Sequence, residues 1–131
     1  MGDTHLADRK ALETSFMGNP AFNALLAYES ADMFGVLVWS PLFSTTRGGG
    51  GLFVSDLWVA SSARGQGTGR KLLAHAISDA EDSSGACFVR LAAHRNNPSA
   101  CSYYAHIGFD EEADMLSMLL EGSALQYFKE I

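Results

Sequence analysis

The stretch from Leu52 to Ile77, LFVSDLWVASSARGQGTGRKLLAHAI, constrains the fold more than any other part of the chain. Leu52-Phe53-Val54 and Leu57-Trp58-Val59 have strand composition, with Ser55-Asp56 between them. Ala60 to Ala63 breaks the pattern. Arg64-Gly65-Gln66-Gly67-Thr68-Gly69 is a glycine loop, and a helical pattern runs on from Arg70. Leu73 and Ile77 sit one turn apart, and Leu72, Ala76 and Ala80 widen the apolar face. A glycine turn that opens a helix is a ready anion site. Glycines admit a phosphate to the backbone N–H groups, and first-turn N–H groups have no partner inside the helix. The dipole adds roughly half a positive charge. The same six residues also suit a tight turn whose glycines serve geometry alone.

Two glycine-loop schemes fail here. A P-loop needs Gly-Lys-Ser/Thr at the helix start, but Gly69 is followed by Arg70-Lys71-Leu72. The dinucleotide fingerprint needs a third glycine where Arg70 stands. What remains is Arg64-x-x-Gly67-x-Gly69 behind a strand carrying Leu57-x-Val59.

The 131 residues are expected to form a single domain, 1–131, with one core. No apolar run approaches the ~18 residues of a membrane span, and no signal peptide opens the chain, so a cytoplasmic protein is expected. Cys87 and Cys101 are too few for a disulfide framework, lack a nucleophile signature, and read as small buried hydrophobes. The formal charge of −6 argues against nucleic-acid binding and suits a cationic small molecule. Within this acidic chain Arg64, Arg70, Lys71, Arg90 and Arg95 cluster along the sequence, where an anionic cofactor can be held.

In chain order, Asp3 or Thr4 caps a helix to about Met17. Strands are expected over Phe22–Tyr28, Met33–Phe43 (with Pro41 weakening its end) and Leu52–Val59. Ser44 to Gly51 reads as a flexible connector. A helix over Thr68–Ala80, a buried strand over Ala86–Ala93 and a short helix over Ser99–His106 follow. Two closing strands, Phe109–Glu112 and Met115–Glu121, and a terminal helix over Ser123–Glu130 complete an α/β layer fold with a mixed sheet.

The glycine loop resembles the acetyl-CoA pyrophosphate loop of the GNAT superfamily of N-acetyltransferases. Asn97-x-x-Ala100-x-x-x-Tyr104-x-x-x-Gly108-Phe109 is similar to a second pattern of that superfamily, in the right order and about thirty residues on. Within it, Phe16-Met17-Gly18-Asn19-Pro20 and Met118 to Leu125 resemble segments of the diamine (spermidine/spermine-like) acetyltransferases. The resemblance implies a GNAT-like, mostly antiparallel sheet flanked by helices, shortened at the N-terminus by the family's first strand and helix. It implies acetyl transfer from acetyl-CoA, as co-substrate, to a primary amine, a small diamine or polyamine, by a homodimer. No metal, nucleic-acid or membrane partner is expected. A degenerate, non-catalytic CoA-binding protein is the alternative.

By the resemblance, the backbones of Leu57 and Val59 pair with the pantetheine arm. Arg64, Gln66, Gly67, Thr68, Gly69 and Arg70 hold the pyrophosphate, and Asn97 contacts the thiol end. Tyr104 is the general acid, a phenol that stays protonated at neutral pH, although Tyr103 beside it can be the inward residue instead. The base stays open. The diamine enzymes carry Glu-Asp where this chain has Ser55-Asp56. Alternation puts Asp56 on the opposite face from Ser55, which can only hold a water, and His94, His106 and Glu29 remain candidates. Glu29, Asp56 and Glu111-Glu112 are expected to hold a distal ammonium.

Overall fold

A hydrophobic meander builds the sheet. The computed structural model describes residues 22–131. Strands β1 (Asn23–Glu29), β2 (Asp32–Ser44) and β3 (Gly49–Val59) pair antiparallel in sequence order, and β4 (Val89–Leu91) joins β3 in parallel. Helix α1 (Thr68–Ser84) makes the crossover between β3 and β4. Helix α2 (Pro98–Ile107) follows β4, and α3 (Gly122–Lys129) lies near the end of the chain. This is the α/β fold with a mixed sheet that the sequence implies. The expected first helix and the 16–20 segment lie outside the described residues. No helix among the described residues is long and apolar enough to cross a membrane.

The core lies between the sheet and α1. Leu37, Trp39, Leu52, Val54 and Leu57 meet Leu72, Leu73, Ala76 and Ala80, with Tyr104, Ile107 and Phe109 packed at the margin. Gly35 seats the helix: a Cβ there would stand 3.2 Å from Leu72 Cδ1 and 3.3 Å from Thr68 Cγ2. The absent side chain brings the first turn of α1 down onto β2, which fixes where the glycine loop sits.

One residue breaks the alternation of β3. Val38 faces Asp56 and Trp39 faces Val54, so Ser55 has no residue opposite it and forms a β-bulge. Its Oγ donates to the Val38 carbonyl at 3.3 Å. The buried positions accordingly switch from Leu52 and Val54 before the bulge to Leu57 and Val59 after it. Asp56 pairs across from Val38, and Val38 and Trp58 lie on the face away from Leu37 and Leu57. Ser55 and Asp56 therefore share a face. The opposite-face reading assumed uninterrupted alternation, which the bulge removes.

Other expectations shift for equally local reasons. Half of the Ser44–Gly51 connector is strand, because β2 runs to Ser44 and β3 begins at Gly49, and only residues 45–48 form the turn. A Cβ on Gly51 would lie 2.5 Å from the Phe88 carbonyl oxygen, so this glycine admits a neighbouring backbone. Pro41 sits inside β2 without harm. Its partner Leu52 donates its N–H to the Phe88 carbonyl on the other side, so the pair exchanges no ladder bond. The proline nitrogen points to the β1 side, past Asn23↔Trp39, the last pair of the described β1–β2 ladder. The buried strand over Ala86–Ala93 shrinks to Val89–Leu91. The two closing strands do not form: residues 109–121 carry no strand. Their apolar pattern met no second strand, and Leu116, Met118 and Leu119 stay exposed.

Candidate active site

The glycine loop enters α1 in the geometry that an anion requires. A 3₁₀ turn (Ser61–Ala63) follows β3, and Gly67, at φ 76°, is the N-cap of α1. The first helical bond runs from Lys71 N–H to the Gly67 carbonyl at 3.0 Å. The N–H groups of Thr68, Gly69 and Arg70 thus have no acceptor within the helix, and no side chain caps them. The first turn carries no acidic residue. Arg64 turns back instead, its Nε donating to the Val59 carbonyl at 3.1 Å, while Gln66 Nε2 donates to the Ser62 carbonyl at 3.4 Å.

The second feature is an open strand edge. The β3–β4 ladder ends at Val54 and Leu91, where the bulge begins. Ala60 N–H donates to the Phe34 carbonyl at 2.8 Å, so the antiparallel alternation turns the backbone of Trp58 and Asp56 towards β2. Leu57 and Val59 then direct their peptide groups to the other side, beyond the last residue of β4. Their side chains remain buried against the core. Trp39, across from Val54 at this point, buries its indole Nε1 with no acceptor among the described residues.

Two tyrosines of α2 approach these features. Tyr104 packs against the core cluster and edge-on to Phe109, with centroids 5.6 Å apart. Burial raises its phenol above the ordinary value, and the neighbouring Tyr103, Asp56 and Cys101 push the same way. The carboxylate just past the bulge therefore lies within electrostatic reach of Tyr104. Tyr103 is raised by burial and lowered by Arg70 on the first turn of α1. The structure thus brings together Asp56, Tyr104, the backbone of Leu57 and the N–H of Val59, whose carbonyl is taken by Arg64, and the loop to Arg70. Asn97 is the N-cap of α2: its Oδ1 accepts from Ala100 N–H at 3.2 Å and from Ser99 Oγ at 3.1 Å.

Other candidates are committed elsewhere. Arg90 forms a forked pair with Glu112, at 2.8 and 3.2 Å, and Arg47 adds a contact at 3.6 Å. The guanidinium groups of Arg47 and Arg90 also lie 5.6 and 5.5 Å from the Phe88 ring centroid. Arg95 pairs with Glu111 at 3.2 Å. Of the clustered basic residues, Arg64, Arg70 and Lys71 belong to the loop and helix start. Glu111 and Glu112, expected to hold an ammonium, already face arginines. Sequence reasoning missed Gly35 as the seat of α1, although a glycine inside a strand is itself the signal of close approach.

The acetyltransferase (GNAT) family model matches residues 3–109. The chain belongs to this family. Members use acetyl-CoA as co-substrate, and this chain is accordingly an acetyl-CoA-dependent N-acetyltransferase. Among solved structures it is similar to an integron cassette protein from the mobile metagenome of V. cholerae, at 23% identity and a TM-score of 0.77, over 95% of this chain and 80% of that one. A probable acetyltransferase is 27% identical with a TM-score of 0.69, over 88% and 76% of the two chains. An aminoglycoside acetyltransferase from an uncultured soil metagenomic sample is 21% identical with a TM-score of 0.67, over 88% and 77%. No curated protein matches the sequence.

Proposed function

We propose that this acetyltransferase acts on a small primary amine of the diamine or polyamine class, and that acetyl-CoA lies along the open edge of β3. The observation that carries the proposal is the early end of the β3–β4 ladder, with Asp56 and Tyr104 beside it and an uncapped helix start at one end. Acetyl-CoA supplies the activated acyl group. The Leu57 peptide binds the pantetheine arm, and the Val59 N–H, whose own carbonyl is held by Arg64, points to where negative charge grows on the acyl oxygen. The N–H groups from Gln66 to Arg70 hold the pyrophosphate, and the Asn97 amide reaches the thiol end. Tyr104 gives its proton to the departing sulfur, and its raised pKa keeps that proton available at neutral and mildly alkaline pH.

Asp56 attracts the incoming ammonium and relays its proton through water. The Ser55 hydroxyl is already donating to Val38, so it offers that water only its lone pairs. The diamine class is supported by the charge of −6, by Asp56 and by the 16–20 and 118–125 resemblance. A degenerate CoA-binding protein is the second reading, favoured by Ser55 standing where the diamine enzymes have a carboxylate. The test is release of CoA thiol with putrescine, spermidine, a lysine analogue, an aminoglycoside and an amine with an uncharged tail. Spermidine or putrescine should lead, and Asp56→Asn should raise KM for them more than for the uncharged amine. Equal turnover of the uncharged amine refutes the polyamine class, and no thiol release with any amine supports the second reading.

A further inference from the structure

Tyr104 stands on a helix that the rest of the fold holds lightly. In α2 Ala100 alone is buried, and Tyr104 and Ile107 meet the core only at its margin. A helix of 10 residues is marginal without support, so the place of its side chains is decided at its two ends. Asn97 closes the first. At the second, Gly108 stands at φ 115° and turns the chain back. Gly108 N–H donates to the Ala105 carbonyl at 3.2 Å, and Phe109 N–H to the Tyr104 carbonyl at 2.9 Å. These bonds are the pair of a Schellman motif, whose apolar contact joins the residue after the glycine to the last turn of the helix. Here that contact is Phe109 on Tyr104, edge-on, with ring centroids 5.6 Å apart and planes at 70°. Further along, Glu112 is gripped by Arg90 of β4 at 2.8 and 3.2 Å, which fixes the returning chain to the sheet.

We propose that Phe109 is the positioning residue of the acid: through the Schellman turn it holds the Tyr104 phenol in place and keeps water from it. The inference rests on the reading of Tyr104 as the group that protonates the departing sulfur. Such a donor must come within about 3 Å of the atom it serves, and a displacement of about 1 Å can cost on the order of 10²-fold in rate. Helix spacing sets the Tyr104 backbone but not the ring, whose setting needs a neighbour. The titratable groups that face the phenol are Tyr103 and Cys101 of α2 and Asp56 of β3. Phe109 carries no charge and acts on the phenol through burial, which is the largest cause of its raised value.

Ultraviolet titration of the phenols of the full chain, with Tyr104→Phe as the blank, tests the mount without turnover. Phe109→Ala should bring Tyr104 down towards the ordinary value of 10.0, and Phe109→Leu, which keeps an apolar cover, should bring it down less. Release of CoA thiol with the fastest amine of the panel tests the consequence. Phe109→Ala should lower kcat roughly 10- to 100-fold with KM for acetyl-CoA within about twofold of wild type, and Phe109→Leu should recover part of the loss. Gly108→Ala disturbs the turn without touching either ring, since a Cβ there meets nothing within 4 Å but stands at φ 115°, and it should show the same split. In a Tyr104→Phe background Phe109→Ala should cost less than about twofold, because the group it acts through is gone. An unmoved Tyr104 titration, or an equal loss from Phe109→Ala with and without the Tyr104 hydroxyl, overturns the inference. A Tyr104→Phe variant as fast as wild type refutes the acid itself, and the positioning role falls with it.

Discussion

Replacing Gly67 by alanine separates what the loop does for the fold from what it does for the ligand. Gly67 sits at φ 76°, and a Cβ there would touch nothing within 4 Å. The cost to the free protein is therefore conformational only, about 1–2 kcal/mol for a left-handed residue other than glycine. In a chain of 131 residues, that lowers Tm by roughly 3–8 °C. The ligand meets a different surface. The new methyl would fill open space at the start of α1, where the pyrophosphate is proposed to reach the N–H groups of Thr68, Gly69 and Arg70. A charge-assisted hydrogen bond contributes about 1.5–3 kcal/mol, so losing one should weaken CoA binding about 10- to 150-fold. Gly48→Ala is the matched control. Gly48 has φ 70° and equally open space, but lies in the β2–β3 turn. It should cost the same stability and leave affinity unchanged. Thermal unfolding and calorimetry with CoA measure both quantities on both variants. Equal affinity in Gly67→Ala and Gly48→Ala would place the pyrophosphate elsewhere.

Tyr104→Phe removes a hydroxyl and almost no volume, so kcat should fall roughly 10²- to 10⁴-fold while acetyl-CoA affinity holds. The wild-type pH–rate profile should rise as the amine deprotonates, and its descending limb should lie above the ordinary phenol value of 10.0 because burial raises Tyr104. An unchanged kcat, or a descending limb well below that value, would move the role away from Tyr104. Glu112→Gln should lower Tm at neutral pH with no effect on CoA affinity. Arg90, through its hydrogen bonds, holds the Glu112 carboxyl below its ordinary 4.5. A depressed carboxyl stabilises the fold above the unfolded value and loses that contribution as pH falls through the folded one. The Tm gap between wild type and Glu112→Gln should therefore close in acid, and a gap that persists at pH 2 would show that packing, not charge, explains it.

The parts of the site that the sequence revealed are those set by neighbours along the chain. Glycines, strand hydrophobics and helix periodicity between Leu52 and Ile77 state the loop locally, and the spacing from Asn97 to Gly108 states α2. Whatever depends on pairing across strands was hidden. The bulge at Ser55 arises from a count of residues against β2, which Ser55-Asp56 alone does not record. Gly51 read as part of the loop because its reason lies 37 residues away, in the backbone of Phe88 (88 − 51). Arg90 has the sequence position of a cofactor residue, but Glu112, distant along the chain, holds its guanidinium. The closing strands failed because alternation signals a strand only where another strand receives it.

The bulge has a further consequence for how this chain tolerates change. Before Ser55, the residues that turn their side chains to α1 turn their backbones to β4. After it, Leu57 and Val59 do the same although the count has slipped by one. Deleting that residue would leave every side chain chemically intact. It would nevertheless rotate Leu57 and Val59 half a turn, exposing two core residues and handing their peptide groups to β2. Core and ligand edge would be lost together, from a position that is itself exposed and packs against little. The length of β3 at that point is thus as much a part of the site as any functional group it carries.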